Sequence, residues 1–335
     1  MLRRTGRAAV NALVTPTAVQ IAPPGLEQED RETWLKVRQQ GIGSSDVAAI
    51  LGLSPWESPF SLWHRKAGNI PPKTQNRGMR WGRLLEEVVC QEWVARRPEM
   101  SIRYAGTLAH VDRPWQLANP DRFAFQTGST GTAEEIVEAK TDYRSDVWGP
   151  DGSDEIPIYY RAQVMWQMDV TGIRITNIPV LISGSDFRQY RIEYDTKEAT
   201  FIRERAEEFQ ASILAGKAPK LDDSLYTAQA LRQLHPTVED INVEIPVTLA
   251  IAYDDACQQY AKAVKAKQQA TNEMLAAIGT GRGATCDNHL IATRIVYDET
   301  RVDVKRLKVE RGDDIADYLD TTTKVQLRPA QKLGE

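Results

Sequence analysis

The chain predicts a mixed α/β (α+β) fold, a small mixed central sheet flanked by helices, with a helical and β-hairpin extension behind it. Three observations carry that expectation. Helix-period apolar patterns open the chain, alternating patterns fill residues 102–140, and a helix, two strands and a helix follow up to Gly216-Lys217-Ala218-Pro219. A length of 335 residues has room for such a core and an appendage.

Residues 1–28 read as a flexible tail. Arg3, Arg4 and Arg7 precede small and apolar residues, Pro23-Pro24-Gly25 closes the stretch, and the apolar core of a secretory signal is lacking. The core domain, residues 29–220, opens with a short amphipathic helix at Arg31-Glu32-Thr33-Trp34-Leu35. Gly41-Ile42-Gly43-Ser44-Ser45-Asp46 then forms a turn before the apolar helix Val47–Leu51. Ser44, Ser45 or Asp46 can cap that helix, which leaves backbone N–H groups for an anion; an ordinary cap is the plainer reading.

Gly52 and Pro55 end the helix, and Phe60-Ser61-Leu62-Trp63 starts another. A long helix follows from about Gly78 to Arg96. Trp81, Leu84, Leu85, Val88 and Val89 keep the spacing of one apolar face, flanked by Glu86 and Glu87. Strands are expected at Ile102–Tyr104, Thr107–Val111, Gln116–Asn119 and Ile136–Lys140, a helix at Ile158–Val170, strands at Asn177–Ile182 and Phe187–Tyr194, and a helix at Lys197–Leu214. In the strand Ile136–Lys140 the side chains of Glu138 and Lys140 project to one face. The extension, residues 221–335, begins linker-like through 244. A long Ala-, Lys- and Gln-rich helix over 245–278 follows, then a glycine-rich turn, two short strands and a basic segment at 301–311.

Composition narrows the chemistry. With 41% hydrophobic and 26% charged residues this is an ordinary globular chain. No apolar run approaches the about 20 residues of a membrane span. Cys90, Cys257 and Cys286 are scattered, which excludes a sequence-evident zinc or iron–sulfur site and argues for a reducing cytoplasm. A net charge of −4 does not advertise a nucleic-acid binder, but net charge governs steering rather than local grooves. Local bases stand at Arg77, Arg80 and Arg83, at Arg96-Arg97, and at Arg301, Lys305, Arg306, Lys308 and Arg311; each set is equally readable as a solvated face. No dinucleotide or P-loop signature is present, and the four histidines make no nucleophilic arrangement.

What remains is Asn119-Pro120-Asp121 followed by Glu138-Ala139-Lys140. Two carboxylates from neighbouring strands can hold a hard cation through oxygen, and a lysine beside them can orient or activate water. That set is what a Mg²⁺-dependent phosphodiester hydrolase needs; a surface Glu/Lys pair on an edge strand is the plain alternative.

The order of motifs resembles the YqaJ-like viral recombinases, relatives of phage lambda exonuclease in the PD-(D/E)xK nuclease superfamily. The resemblance runs from Arg38-Gln39-Gln40-Gly41 through Ile50-Leu51-Gly52, then Ser58-Pro59-Phe60-Ser61-Leu62-Trp63 with Lys66-Ala67-Gly68, and Gly82-Arg83-Leu84-Leu85-Glu86. It continues with Asn119-Pro120-Asp121 and Glu138-Ala139-Lys140-Thr141, and closes with Pro157, Tyr160, Gln163 and Met168-Asp169-Val170-Thr171-Gly172. It implies a restriction-endonuclease-like core and a 5′→3′ exonuclease on double-stranded DNA ends that leaves a 3′ strand for a single-strand annealing protein. By the same resemblance Asp121, Glu138 and the Ala139 carbonyl would hold Mg²⁺, with two ions expected and Mn²⁺ as a substitute. Lys140 would position or deprotonate water, Glu86 would complete a second ion's shell, and Gln163 would contact the nucleophile or the scissile strand. Arg38 and Ser45, with Ser44 beside them, match positions that hold a 5′ phosphate.

One departure stands out: Gln163-Val164-Met165 lacks the second glutamine of the family's Gln-x-Gln, leaving Gln167 as the only substitute. A homotrimer follows by analogy. The eight tryptophans read mostly as core, with Trp148, in the loop after the lysine, the one to test as a wedge that stacks on a DNA end. The alternatives are an endonuclease on the same fold and a catalytically idle DNA-end-binding module.

Overall fold

The computed structural model describes residues 15–129, 131–298, 302–312 and 314, so Arg3, Arg4, Arg7 and Arg301 lie outside the described residues. The chain divides into two compact units, Met1–Pro236 and Thr237–Glu335.

The first unit opens with strand β1 (Ala18–Ala22) and helices α1 (Leu26–Glu29), α2 (Arg31–Gln39), α3 (Val47–Ile50), α4 (Pro59–Lys66) and α5 (Arg77–Arg96). Seven strands follow around one helix: β2 (Met100–Tyr104), β3 (Thr107–His110), β4 (Leu117–Ala118), β5 (Arg122–Gln126), β6 (Glu135–Val137), β7 (Lys140–Asp142), α6 (Ile158–Thr171) and β8 (Ile175–Ile182). Strand β9 (Asp186–Glu193) and helices α7 (Thr196–Leu214) and α8 (Leu225–Leu234) complete the unit. The main sheet runs β2-β5-β6-β8-β7 with β9 on the other edge of β8; β6 and β7 pair parallel with β8 and the other pairs are antiparallel. A second sheet, β1-β3-β4, lies beside it. The predicted mixed α/β class is the observed one.

Helix α6 is the spine of the core. Val164, Met165, Trp166, Met168 and Val170 are buried, and the Trp166 indole N–H donates to the Leu117 carbonyl at 2.8 Å. The near-continuous burial explains its weak amphipathic pattern: an element packed on several sides has no wet face to show. Strand β5 went unpredicted for the same reason, because Phe123, Ala124 and Phe125 are all buried and no alternation marks the strand.

Four expectations need correction. Residues 18–22, assigned to a flexible tail, form β1, with Ala18 opposite His110 in register and fully buried; a partner so distant in sequence leaves no local trace. Residues 225–234, assigned to a linker, form α8, capped by Ser224 and fastened by Thr227 to Ser58 at 2.7 Å, so the first unit extends past residue 220. On α5 the helical period is right but most of the apolar stripe is not the buried face: Val89 alone of the stripe is buried, with Cys90 and Trp93, while Trp81, Leu84 and Val88 are exposed. The strand expected at Ile136–Lys140 is interrupted at Glu138-Ala139. Its register against β8 is the same on both sides of the gap, Val137 facing Asn177 and Lys140 facing Val180. The Ala139 N–H leaves the ladder and donates instead to Asp121 Oδ2 at 2.9 Å.

The second unit holds α9 (Val247–Ile278), the antiparallel hairpin β10 (Gly283–Cys286) with β11 (His289–Thr293), and α10 (Val304–Arg311). The hairpin turn places Asp287 and Asn288 at φ 47 and 64°, a left-handed pair that short polar side chains tolerate. Helix α9 runs 32 residues with no buried side chain among those described. No described helix is long and apolar enough to cross a membrane.

Candidate active site

The break between β6 and β7 turns two backbone-borne acids toward each other. Asp121 stands at the entry to β5, after Pro120 has ended the preceding bend, and Glu138 stands in the gap of the strand paired with β8. The Asp121 N–H reaches Glu138 Oε2 at 3.4 Å, and the Ala139 N–H caps Asp121 in return. Lys140 Nζ donates to Glu138 Oε1 at 2.6 Å, so Glu138 and Lys140 share a face as the strand parity requires, even across the gap. Asp121, Glu138, Ala139 and Lys140 are therefore brought together.

Helix α6 adds two donors. Gln163 Nε2 lies 2.5 Å from Glu138 Oε1, and Gln167 Nε2, one turn on along the same face, lies 2.9 Å from Oε2. Gln167 is thus the second glutamine that donates to Glu138. Its own Oε1 is buried with no partner among the described residues. Such an orphaned acceptor beside an acidic centre is a costly feature for a fold to keep.

Glu86 arrives indirectly. Arg122, next to Asp121 and 3% exposed at its side chain, forks to Glu86 Oε1 at 2.6 Å and Glu87 Oε2 at 2.7 Å, and also donates to the Asp121 carbonyl at 2.7 Å. Tyr104 lies under the guanidinium at 3.6 Å from its ring centroid. Both glutamates of α5 are consequently held by one cation. They differ in what else they face: Glu87 accepts from Gln91, Arg122 and Tyr104, which together hold its carboxyl at about 2, while Glu86 adds negative charge beside Asp121. With Glu86 engaged by Arg122, no three His, Cys, Asp or Glu side chains among the described residues form a ready-made metal cage.

The electrostatics of the centre are unbalanced. Asp121 keeps some accessible surface while lying deep among protein atoms, as a group on the floor of a cleft does. Burial first, then the like charges of Glu138 and Glu86, push its carboxyl well above the ordinary range, and Lys140 only partly offsets them. Burial works against the Lys140 ammonium, but Glu138 and Asp121 outweigh it and hold the lysine protonated. Its Nζ also lies 4.8 Å from the centroid of Tyr160, which restricts where the ammonium can swing.

Arg38 and Ser45 form a second cluster. The guanidinium donates to Ser45 Oγ at 2.6 Å and lies 5.0 Å over Trp34, while Ser44 is buried and Ser45 exposed. Asp46 does not cap α3 with its side chain; it accepts from the Gly43 N–H at 2.8 Å and pairs with Lys66 at 2.7 Å. Burial pushes the Asp46 carboxyl up, but Lys66 and Arg38 outweigh it and hold it below its usual value. Gly41 is required where the turn meets β4: a Cβ there would fall 2.0 Å from the Trp115 carbonyl oxygen. No hydrogen bond or ion pair joins this cluster to Glu138 among the described residues.

One candidate among the other side chains is removed. Trp148 is 5% exposed, donates to Asp142 and packs on Tyr160 and Tyr190, so it belongs to the core and cannot stack on an incoming end. His110 is buried in β3, and its Nδ1 accepts from the Asp112 N–H, a structural role. Sequence reasoning missed Arg122, which follows Asp121 in a stretch where no strand was expected; the only clue was a charge opening a run of apolar residues.

Fold and site together define a mixed α/β protein whose main sheet presents two carboxylates and a lysine at a strand break. A YqaJ-like viral recombinase domain matches residues 33–174. Protein YqaJ of Bacillus subtilis (strain 168) is 33% identical over 236 residues, 69% of this chain and 70% of that protein. The chain belongs to the YqaJ-like viral recombinase family. Protein D345L of African swine fever virus (isolate Tick/South Africa/Pretoriuskop Pr4/1996) is 29% identical over 164 residues, 41% of this chain and 44% of its own length. Among solved structures, the alkaline exonuclease LHK-Exo from Laribacter hongkongensis aligns over 55% of this chain and 93% of its own, with a TM-score of 0.45 and 17% identity.

Proposed function

We propose that the protein is a Mg²⁺-dependent exonuclease on double-stranded DNA ends, degrading 5′-ended strands and leaving 3′ single strands for a single-strand annealing protein. Membership of a viral recombinase family supports the setting. The single observation that carries the chemistry is the convergence of two carboxylates and a lysine at the strand break: Glu138 Oε2 lies 3.4 Å from the Asp121 N–H, the Ala139 N–H donates to Asp121 at 2.9 Å and Lys140 Nζ donates to Glu138 at 2.6 Å. The donor set fits a hard divalent cation, since Asp121, Glu138 and the Ala139 carbonyl all offer oxygen. Such a cation, or a pair of them, stabilises the charge that builds up on a phosphodiester under attack and makes water more acidic.

The rest is the work of this chain's own side chains. Lys140, whose ammonium lies 2.6 Å from Glu138 Oε1, would orient a water or donate to an anionic oxygen at the acids that would hold the cation. Gln163 and Gln167 fix the Glu138 carboxylate from behind. Arg122 donates both to Glu86 and to the Asp121 carbonyl, and Glu86 would be the residue for a second ion. Arg38 and Ser45 offer a guanidinium and a hydroxyl for a 5′ phosphate, with Ser44 buried beside them. A homotrimer would keep the enzyme on its strand, and the mass of the particle in solution tests that.

A linear duplex labelled at either end, beside a closed circle, tests the reading with Mg²⁺, Mn²⁺ or Ca²⁺. The expected outcome is mononucleotide release from 5′ ends with Mg²⁺ or Mn²⁺ and an untouched circle. Cleavage of the circle would make the protein an endonuclease, and metal-independent binding without nucleotide release would make it an end-binding module.

A further inference from the structure

We infer that the exposed indole of Trp56 is a stacking platform for an unpaired base of the strand held at Lys140, an inference that rests on the nuclease reading above. Trp56 sits in the loop between α3 and α4 and is 45% exposed. Its ring is fixed by two others, with Tyr159 edge-on at 4.9 Å and Tyr160 at 6.0 Å between centroids. Tyr160 is the ring that lies 4.8 Å from Lys140 Nζ. Two ring contacts therefore lead from the proposed reacting centre to an open aromatic surface, and a base seated there belongs to the same short stretch of strand as the phosphate at Lys140.

The bland reading is a tryptophan stranded at the surface. Single exposed apolar residues are common and need no explanation. The loop around Trp56 argues otherwise, because it is held from several directions. Glu57 is buried and pairs with Arg65 at 2.9 Å and Lys73 at 2.7 Å. Lys73 also donates to the Trp56 carbonyl at 3.3 Å, Ser54 Oγ accepts from the Trp56 N–H at 3.2 Å, and the Tyr226 hydroxyl donates to the Pro55 carbonyl at 2.9 Å. An indole presented this rigidly loses little freedom when a ligand settles on it.

A second observation points to the ligand. Tyr143, three residues after Lys140, is 80% exposed. Between it and Trp56 runs Arg144, whose guanidinium lies 5.5 Å from the Tyr143 centroid and donates to the Tyr159 hydroxyl at 3.0 Å. Open aromatic faces interleaved with a guanidinium are what a single strand needs: bases stack on rings and the backbone runs past positive charge. A paired duplex offers phosphates but no free base face, so the chemistry selects an unpaired stretch.

The test uses the full chain in EDTA, so that nothing is cut, with a labelled oligothymidylate and an abasic oligonucleotide of the same length. Fluorescence anisotropy is read for the wild type, Trp56→Leu, which keeps apolar bulk without a π face, and Trp56→Phe, which keeps one. Expected is a loss of affinity for oligothymidylate of about tenfold or more in Trp56→Leu, largely regained in Trp56→Phe, with abasic binding unchanged throughout. Equal affinity of Trp56→Leu and the wild type for oligothymidylate overturns the inference, and so does a loss that falls equally on the abasic strand. Should Trp56→Leu lose its thermal transition, Trp56→Met, which also lacks a π face, carries the comparison, with a weaker hold on oligothymidylate alone as the supporting result and an unchanged hold as the overturning one. Nucleotide release from duplex ends by the wild type, measured with Mg²⁺ on the same preparation, separates the two ideas. Release with no base-dependent loss at Trp56 sinks the platform alone, whereas no release sinks the nuclease reading.

Discussion

Asp121 and Asp169 are aspartates set deep in the same unit, yet their carboxyls are displaced in opposite directions. Asp169 is 8% exposed and surrounded by donors: Gln116 at 2.8 Å, Tyr194 at 2.8 Å, Arg203 at 2.7 Å and Arg113 at 3.5 Å. Burial raises its carboxyl, but those donors outweigh burial and hold it below the usual value. Asp121 receives one backbone N–H and is otherwise faced by Glu138 and Glu86. The difference teaches how to sort buried acids. A structural carboxylate is completed by the protein, and one left short of positive charge is reserved for something that arrives later.

The largest expected effect breaks the comparison on its functional side. Asp121→Asn should lower Mg²⁺-dependent nucleotide release by roughly a thousandfold or more, and Lys140→Ala should act alike. In metal-free buffer the same Asp121→Asn protein should melt no lower than the wild type. The sign follows from the raised carboxyl: stability falls as pH rises from the unfolded value near 3.9 through the higher folded value, so at neutral pH the charge is a burden that asparagine removes. A clear drop in metal-free Tm would contradict the assignment of Asp121 as undercompensated.

Asp169→Asn should do the reverse. It leaves Arg203 and Arg113 facing a neutral group and should cost about 3–5 kcal/mol in urea unfolding, with the folded fraction still active. Next in size is cation binding itself. Mg²⁺ at about a hundred times its dissociation constant should stabilise the wild type by about 2.7 kcal/mol, a shift absent in Asp121→Asn and kept in Asp169→Asn. Acid titration sharpens the contrast, because the contribution of Asp169 is present above its unfolded pKa and is lost as pH falls through its depressed folded value. The acid limb of the unfolding curve should therefore flatten in Asp169→Asn. The smallest effect is expected at Gln167→Leu, which removes one donor to Glu138 and should weaken apparent Mg²⁺ affinity by about tenfold, read from the concentration dependence of activity.

Much of the site was legible in the sequence because its chemistry is local. Pro120-Asp121 and Glu138-Ala139-Lys140 lie within short segments, and Gln163 came in through the family resemblance. What stayed hidden depends on contacts between distant segments. Arg122 acquires its meaning only when α5 packs across the sheet and delivers both Glu86 and Glu87 to it. Gln167, already the candidate for the missing glutamine, is a donor to Glu138 only because α6 turns that face to it. The same limit explains the fold: strand β1 needs β3 to exist as a strand, and α8 needs the pocket beside Ser58. The stripe Trp81, Leu84 and Val88 gave the right period and the wrong face, since periodicity reports that a helix has two sides without reporting which one is wet.

Glu138 accepts from Lys140, Gln163, Gln167 and the Asp121 N–H, so both of its oxygens are engaged before any cation arrives. Lys140 is thus the resting counter-ion of Glu138, and a divalent cation taken up on these oxygens would enter by exchange with the ammonium rather than by filling a void. Under the proposed nuclease reading, such a centre would keep its charge balanced when divalent ions are scarce and would free the ammonium only when one is bound.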